Sequence, residues 1–336
     1  MEWRYLLVAL AFTAGIAQVL AHVPDLAGDN LNIEDAKVIE NPERSWAIYG
    51  SMEAGEIRYF TLDFSPDDRV EIEVLVSTDP SDESFNPVLI LTGPGLPEEG
   101  EIPQDLEIPA GHGFLRLDGE RPSGAKYEGF SPSSYYRVVD LSTRAPGSGT
   151  YHAAVYAPAA GGKYSLVVGY TEGFSLFEWV MIPISLIDIY MWGGQGLIQV
   201  LAPLTLTTLL GLFLYIRSRG RDPPPSPRDI LVVTPGFMFV GSGLTIFYQM
   251  AFNLTRVPLT GEVSITVLFG ALPILIGLGV IRSAYDISVT DAADRARAII
   301  LAVLALFLWA GLIIGPTLLV ISAMLPARIR DLGSSR

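Results

Sequence analysis

Long apolar runs dominate the second half of the chain, and they restrict what it can fold into more than any other feature. From residue 174 onward the hydrophobic residues collect in runs of about 20, the length that an α-helix needs to cross ~30 Å of hydrocarbon. The runs predict an α-helical transmembrane bundle, with four spans preferred. The predicted spans are about 197–216, 230–252, 263–281 and 298–325.

The first 21 residues have the features of a secretory signal peptide. A basic residue, Arg4, precedes a short apolar core, and small residues stand at Val19 and Ala21. Cleavage after Ala21 would make His22 the first residue of the mature chain. We therefore expect a multi-pass protein of the cell membrane whose N-terminal domain, residues 22–173, is extracytoplasmic.

Charge is divided unevenly along the chain. Residues 22–173 carry 26 acidic against 10 basic side chains, whereas residues 174–336 carry 9 against 11. Because phosphate contacts need basic surfaces, this distribution argues against nucleic acid as a partner. It is compatible with a cation, with a cationic partner, or simply with solubility. Cysteine is absent, which removes disulfides, thiolate metal sites and cysteine nucleophiles.

Residues 22–173 are predicted to form an all-β sandwich or jelly roll. Apolar and polar residues alternate, as in Val70–Val74, which places the apolar side chains on one face of a strand and the acids on the other. Short strands separated by glycine and proline turns are typical of antiparallel sandwiches. The eight candidate strands are 45–51, 57–64, 70–77, 87–91, 114–118, 135–141, 150–156 and 164–170.

Two stretches of this domain resemble the pre-peptidase C-terminal type of β-sandwich. Residues 56–64 resemble the opening of that module, and residues 149–156 with 161–168 resemble its closing hairpin. The resemblance implies a jelly-roll accessory module that is not itself a catalyst.

Residues 174–196 lead into the bundle and are predicted to form an interfacial amphipathic helix followed by a glycine-rich corner. Aromatic residues near its ends suit headgroup depth. If this helix does not cross the membrane, the loops 217–229 and 282–297 face the cytoplasm, which places seven arginines inside and four outside. If it does cross, four arginines lie inside and seven outside. The first arrangement is preferred, although it leaves the short basic tail, 326–336, outside.

Candidate metal ligands are His22, His112 and His152. A mature N-terminal His22 would offer an amine and an imidazole, which with a second imidazole form the nitrogen set of a copper histidine brace. Calcium is the other candidate ion, because oxygen-rich stretches occur at 25–35 and 79–83, although neither matches an ordered calcium-loop signature and solvated acidic loops are the preferred explanation. The chain has no Gly-x-Ser-x-Gly elbow, phosphate loop or His-Glu-x-x-His. Neither catalytic residues nor a resident cofactor are predicted.

The leading interpretation is a non-enzymatic binding or assembly protein that displays the sandwich outside the cytoplasm. Its expected partners are membrane lipid and another envelope protein or a surface polymer. One alternative is a copper-binding or redox protein built on His22, and the other is an accessory part of a transporter or channel, because each predicted span contains a proline that can kink it. A small-xxx-small pair, Gly311 and Gly315, suggests a homo-oligomer.

Overall fold

The computed structural model describes residues 22–219, 225, 227–286 and 292–325; the predicted signal peptide and basic tail lie outside the described residues. The chain forms two compact units. The first holds the β domain up to Glu178, with Asp188–Gln195 and Asn253–Thr260. The second holds Trp179–Ile187, Gly196–Phe252 and the residues from Gly261 onward.

The β domain is a sandwich of two six-stranded sheets, as the alternating pattern predicts. The strands of the described residues are β1 (Val23–Leu26), β2 (Lys37–Val38), β3 (Trp46–Met52), β4 (Ile57–Phe64), β5 (Arg69–Ser77), β6 (Val88–Pro94), β7 (Glu98–Glu99), β8 (His112–Leu117), β9 (Lys126–Glu128), β10 (Ser133–Arg144), β11 (Gly149–Tyr156) and β12 (Gly162–Val168). The first sheet has the order β1-β3-β12-β5-β10-β9, and the second β2-β4-β11-β6-β8-β7. Neighbouring strands are antiparallel except for three parallel pairs, β1 with β3, β2 with β4 and β7 with β8.

The hydrophobic core lies between the two sheets. In β5 the side chains of Val70, Ile72, Val74 and Val76 are at most 1% exposed, which confirms that the apolar face of this strand turns inward. Each of the eight predicted strands overlaps an observed strand. The four short strands β1, β2, β7 and β9 were not predicted, because a segment of two to four residues carries too little alternation to be recognised.

Later segments of the chain cover part of the outer face of the first sheet. Trp192 packs edge-on against Tyr49 with 5.3 Å between ring centroids, and its indole N–H donates to the carbonyl oxygen of Tyr164 at 3.0 Å. These residues all belong to the first unit. The segment Asp188–Gln195 is therefore part of the packed β domain.

The segment Asn253–Thr260 is bound to the same unit by a buried amide. Asn253 is 4% exposed; its Oδ1 accepts from the Ser134 hydroxyl at 2.8 Å, and its Nδ2 donates to the Pro132 carbonyl at 2.9 Å. Arg256 adds a bond of 2.8 Å to the carbonyl of Gly193. A polar side chain this deeply buried is stable only because both ends of its amide are paired.

The helices of the described residues are α1 (Leu176–Trp192), α2 (Leu197–Ser218), α3 (Pro227–Leu254), α4 (Val263–Asp286), α5 (Ala292–Phe307) and α6 (Ile314–Met324). Of these, α2, α3 and α4 are long and apolar enough to cross a membrane. Pro203, Pro235 and Pro273 lie inside them, as expected. The shorter α1 begins with a capping box in which Ser175 and Glu178 bond to each other's backbone N–H.

The region predicted as a single fourth span, 298–325, differs from that expectation. It contains α5 and α6, of 16 and 11 residues, separated by residues 308–313. Pro316 lies in the first turn of α6, where its missing N–H leaves no helical bond unmade. Proline therefore stands near the start of a helix here, whereas the prediction placed it inside a span as a kink.

Candidate functional site

An acid-lined groove in the sandwich is the candidate binding site. It lies where the connection between β2 and β3, the turn between β4 and β5, and the residues after β12 come together. Its cavity volume is about 410 Å³. Its lining residues are Asn41, Pro42, Glu43, Arg44, Asp63, Asp68, Thr171, Glu172 and Gly173.

Backbone pairing determines the shape of this groove. Arg44 and Thr171 form an isolated parallel bridge, and the Thr171 N–H donates to the Glu43 carbonyl at 2.7 Å. Across the groove, the Asp68 carboxylate accepts from the Ser65 N–H at 2.6 Å and closes the turn between β4 and β5. The walls are therefore fixed by main-chain and turn hydrogen bonds.

Negative charge dominates the groove. The Arg44 guanidinium forms an ion pair with Glu178, donates to the Gly173 carbonyl at 3.0 Å and lies 4.6 Å from the ring centroid of Trp46. Its charge is thus already compensated, and the groove offers carboxylates to a ligand. The charged residues of the lining are four acids and one base: Glu43, Asp63, Asp68, Glu172 and Arg44.

An ammonium or guanidinium group is the chemistry that this lining can bind. Carboxylate oxygens accept charge-assisted hydrogen bonds from such groups, roughly twice as strong as bonds between neutral partners. The Asp63 carboxylate is held in place by the Thr150 hydroxyl, which donates to it at 2.7 Å. The groove acids come from distant parts of the sequence, so no local spacing marks them, and only the fold brings them together.

His22, one of the predicted metal ligands, lies immediately before β1 in the first sheet. Its Nδ1 is hydrogen-bonded to the Ser45 hydroxyl. Burial, with a smaller contribution from Arg137, lowers the pKa of His22 to about 4. The imidazole is therefore neutral at pH 7.

The other two predicted ligands, His112 and His152, are brought together on β8 and β11 of the second sheet. Their rings stack with 6.2 Å between centroids and an angle of 28°. Burial lowers the pKa of His152, and the neighbouring His112 adds to that effect. Among the described residues, no group of three or more His, Asp or Glu side chains is arranged to hold a metal ion. A copper brace on His22 remains a prediction.

Protein cations pair with acids in both stretches predicted as calcium sites. Asp25 pairs with Lys37 at 2.9 Å. Asp79 pairs with Lys163, whose Nζ is also 3.7 Å from Asp82. Burial raises the pKa of Asp82 even though Lys163 opposes the shift. A lysine ammonium thus lies where the prediction would place a calcium ion at residues 79–83.

Gly311 and Gly315, the predicted oligomer contact, pack within the chain itself. A Cβ added to either glycine would touch the ring of Phe239 in α3. The small side chains therefore permit a close approach inside the helical unit. A homo-oligomer remains a prediction.

Comparison with known proteins adds little. No family model and no curated protein matches the chain. PliG of Aeromonas hydrophila, a periplasmic inhibitor of g-type lysozyme, is similar to 44% of this chain over 98% of its own length, with 14% identity and a TM-score of 0.25. PliG of Salmonella Typhimurium is similar to 40% of this chain over 96% of its own length, with 16% identity and a TM-score of 0.22. Likeness at these scores carries no inference about function.

Proposed function

We propose that the protein is a non-enzymatic, multi-pass membrane protein whose extracytoplasmic sandwich binds a cationic group of a partner in its acid-lined groove. The partner would be another envelope protein or a surface polymer that carries amines or guanidinium groups. The observation that carries the proposal is the groove itself, with four carboxylates around a cavity of about 410 Å³ and its arginine already paired.

Anchoring of the sandwich is supported by the packing of α1. Its first turn is bound through the ion pair of Glu178 with Arg44, and its last residue through the bond from Trp192 to Tyr164, all within the first unit. A helix whose two ends bind the same domain does not carry the chain across a bilayer. This supports an interfacial helix at 174–192, with the membrane crossings starting at α2.

The extracytoplasmic orientation is proposed from the sequence. The signal-like residues 1–21 would deliver the sandwich outward, and the arginines that flank α2 and α4 favour the cytoplasm at those ends. A maleimide that cannot cross membranes tests this orientation, because the chain has no cysteine and single cysteines can be introduced freely. In intact cells Ser123→Cys, on an exposed loop of the sandwich, should react, and Ser218→Cys should not.

The binding proposal is tested with full-length protein in nanodiscs of uncharged lipid and an oligolysine peptide as probe. Glu43→Gln with Glu172→Gln removes two charges from the groove. Glu98→Gln with Glu99→Gln removes two charges from β7, outside the groove, and is the matched control.

The groove pair should weaken oligolysine binding, by calorimetry, about tenfold, if each lost charge-assisted contact contributes ~0.7 kcal/mol. The control pair should leave the affinity within the error of the measurement. Equal effects of the two pairs would mean that the overall acidity of the domain attracts the probe, and the groove would then have no specific role. Absence of binding to the unmodified protein would also contradict the proposal.

A further inference from the structure

The helices α5 and α6 run in opposite directions. One cavity of about 60 Å³ is lined by Asp294, Arg297 and Ala298 from the first half of α5 and by Leu319 and Ser322 from the second half of α6. In a continuous helix, residues 298 and 322 would be ~36 Å apart at 1.5 Å per residue. Because they share the wall of one small cavity, the chain must reverse between them.

A left-handed backbone makes this reversal. Trp309, Gly311 and Leu312 have φ values of 54°, 71° and 56°. Such values are uncommon for residues other than glycine and are kept only where surrounding contacts impose them. Here the Gly311 N–H donates to the Ser242 hydroxyl of α3 at 2.7 Å, in a buried position.

The tip of the hairpin is also held by Trp179, near the start of α1. The Trp309 indole donates to the carbonyl of Trp179 at 3.0 Å, and the Trp179 indole donates to the carbonyl of Phe307 at 3.1 Å. The second bond satisfies a carbonyl at the end of α5, and the first satisfies the Trp179 carbonyl, because Pro183, four residues further along α1, has no N–H to donate to it. The turn is therefore a built structure with defined partners.

The open end of the hairpin, opposite the turn, lies beside the ends of two other helices. The same cavity is lined by Val232, near the start of α3, and by Val280 and Ser283, near the end of α4. The end of α6 is therefore beside the start of α3 and the end of α4. We name this end of the bundle the arginine side, after Arg217, Arg219, Arg282, Arg295 and Arg297, which lie at or near the helix ends there.

We propose that α5 and α6 form a re-entrant hairpin, so that the chain crosses the membrane three times and its C-terminal tail lies on the arginine side. Neither helix, with 16 and 11 residues, has the ~20 residues of a span. The tail then no longer conflicts with the positive-inside rule. Of the eleven arginines after residue 216, ten lie on one side and only Arg256 on the other.

Cross-linking distinguishes the hairpin from a single span. Two double variants of the full-length protein in its native membrane are treated with a short bis-maleimide: Ala298→Cys with Ser322→Cys, and Ala298→Cys with Ile314→Cys. In a continuous helix the second pair is closer, at ~24 Å against ~36 Å. In the hairpin the first pair is closer, because residues 298 and 322 line one cavity and Ile314 lies near the tip.

Trypsin cuts after Arg297 and Arg328 and leaves both cysteines of either variant in one peptide. Mass spectrometry of this peptide therefore distinguishes one linker that bridges both cysteines from two linkers that are each attached to a single cysteine. The proposal expects bridging at 298–322 well above that at 298–314. The reverse order, or no bridging at 298–322, overturns it. This outcome does not depend on what the groove binds or on which way the protein faces.

Sidedness provides the second readout. Ser335→Cys in the tail should react with an impermeant maleimide in the same preparations as Ser218→Cys, on the arginine side, and in the opposite ones to Ser123→Cys. Reaction of Ser335→Cys together with Ser123→Cys would overturn the hairpin. If all three cysteines react in the opposite preparations to those expected from intact cells and inverted vesicles, only the proposed orientation of the protein would be contradicted.

Discussion

Substitution of Asn253 by alanine should release the segment Asn253–Thr260 from the β domain. The change removes the amide that accepts from Ser134 and donates to Pro132. The Ser134 hydroxyl keeps a bond of 2.6 Å to the Thr78 hydroxyl. The Pro132 carbonyl, by contrast, loses the amide donor that pairs it.

The expected cost follows from this difference. A lost hydrogen bond between paired groups costs about 1 kcal/mol, and an acceptor left buried and unpaired costs about 1–3 kcal/mol. The free energy that holds the segment Asn253–Thr260 on the β domain should therefore fall by about 2–4 kcal/mol. At 1.4 kcal/mol for each factor of ten, the lower value corresponds to local opening about 30-fold more often.

Hydrogen–deuterium exchange of the protein in nanodiscs measures this opening. Peptides covering 253–260 should exchange at least about 30-fold faster in Asn253→Ala, while a peptide covering β5 should keep its rate because the sandwich core is unchanged. Leu259→Ala is the matched control, since Leu259 belongs to the same segment but is 79% exposed. Unchanged exchange at 253–260 in Asn253→Ala, or an equal increase in Leu259→Ala, would refute the buried amide as the attachment.

Three further changes test other parts of the structure. Burial lowers the pKa of His22 to about 4, so below pH 6.5 the folded chain binds fewer protons than the unfolded chain. The free energy of unfolding should therefore fall by about 3 kcal/mol as the pH drops from 6.5 to 4. His22→Asn should remove that part of the pH dependence of the melting temperature, and an unchanged profile would contradict the lowered pKa of His22. In Gly93→Ala the added methyl group would overlap the ring of Tyr151, so the free energy of unfolding, measured by chemical denaturation, should fall by about 1–3 kcal/mol. Gly124→Ala, with open space around the added methyl group, should lower it far less. Ser175→Ala removes the capping box of α1 and should cost about 1 kcal/mol, seen as faster exchange at residues 176–180 with no change in β5.

The sequence by itself determined the elements whose signal is local. The alternation in Val70–Val76 determines which face of β5 is buried, and apolar runs of about 20 residues predict the helices α2, α3 and α4. Both patterns lie within a single continuous segment of the chain, so they can be recognised without knowing which surface the segment packs against. The proline in each of these helices is tolerated because neighbouring helices, hydroxyl side chains or small local adjustments can satisfy the backbone carbonyl that it frees.

The tertiary structure decided everything that depends on residues far apart in the chain. Sequence spacing could not show that His112 stacks on His152 while His22 lies at another sheet, or that Lys163 pairs with Asp79. The groove combines Glu43 with Glu172 through backbone pairing of β-domain segments that are distant in sequence.

The region 298–325 shows the physical reason for this limit most clearly. Its apolar composition satisfies the requirement for a span, and composition is all that hydropathy measures. The reversal at Trp309–Leu312 depends instead on left-handed backbone angles and on a hydroxyl of α3 that accepts the Gly311 N–H. A partner contributed from another helix leaves no mark on the local pattern, so only the folded chain reveals where the helix ends.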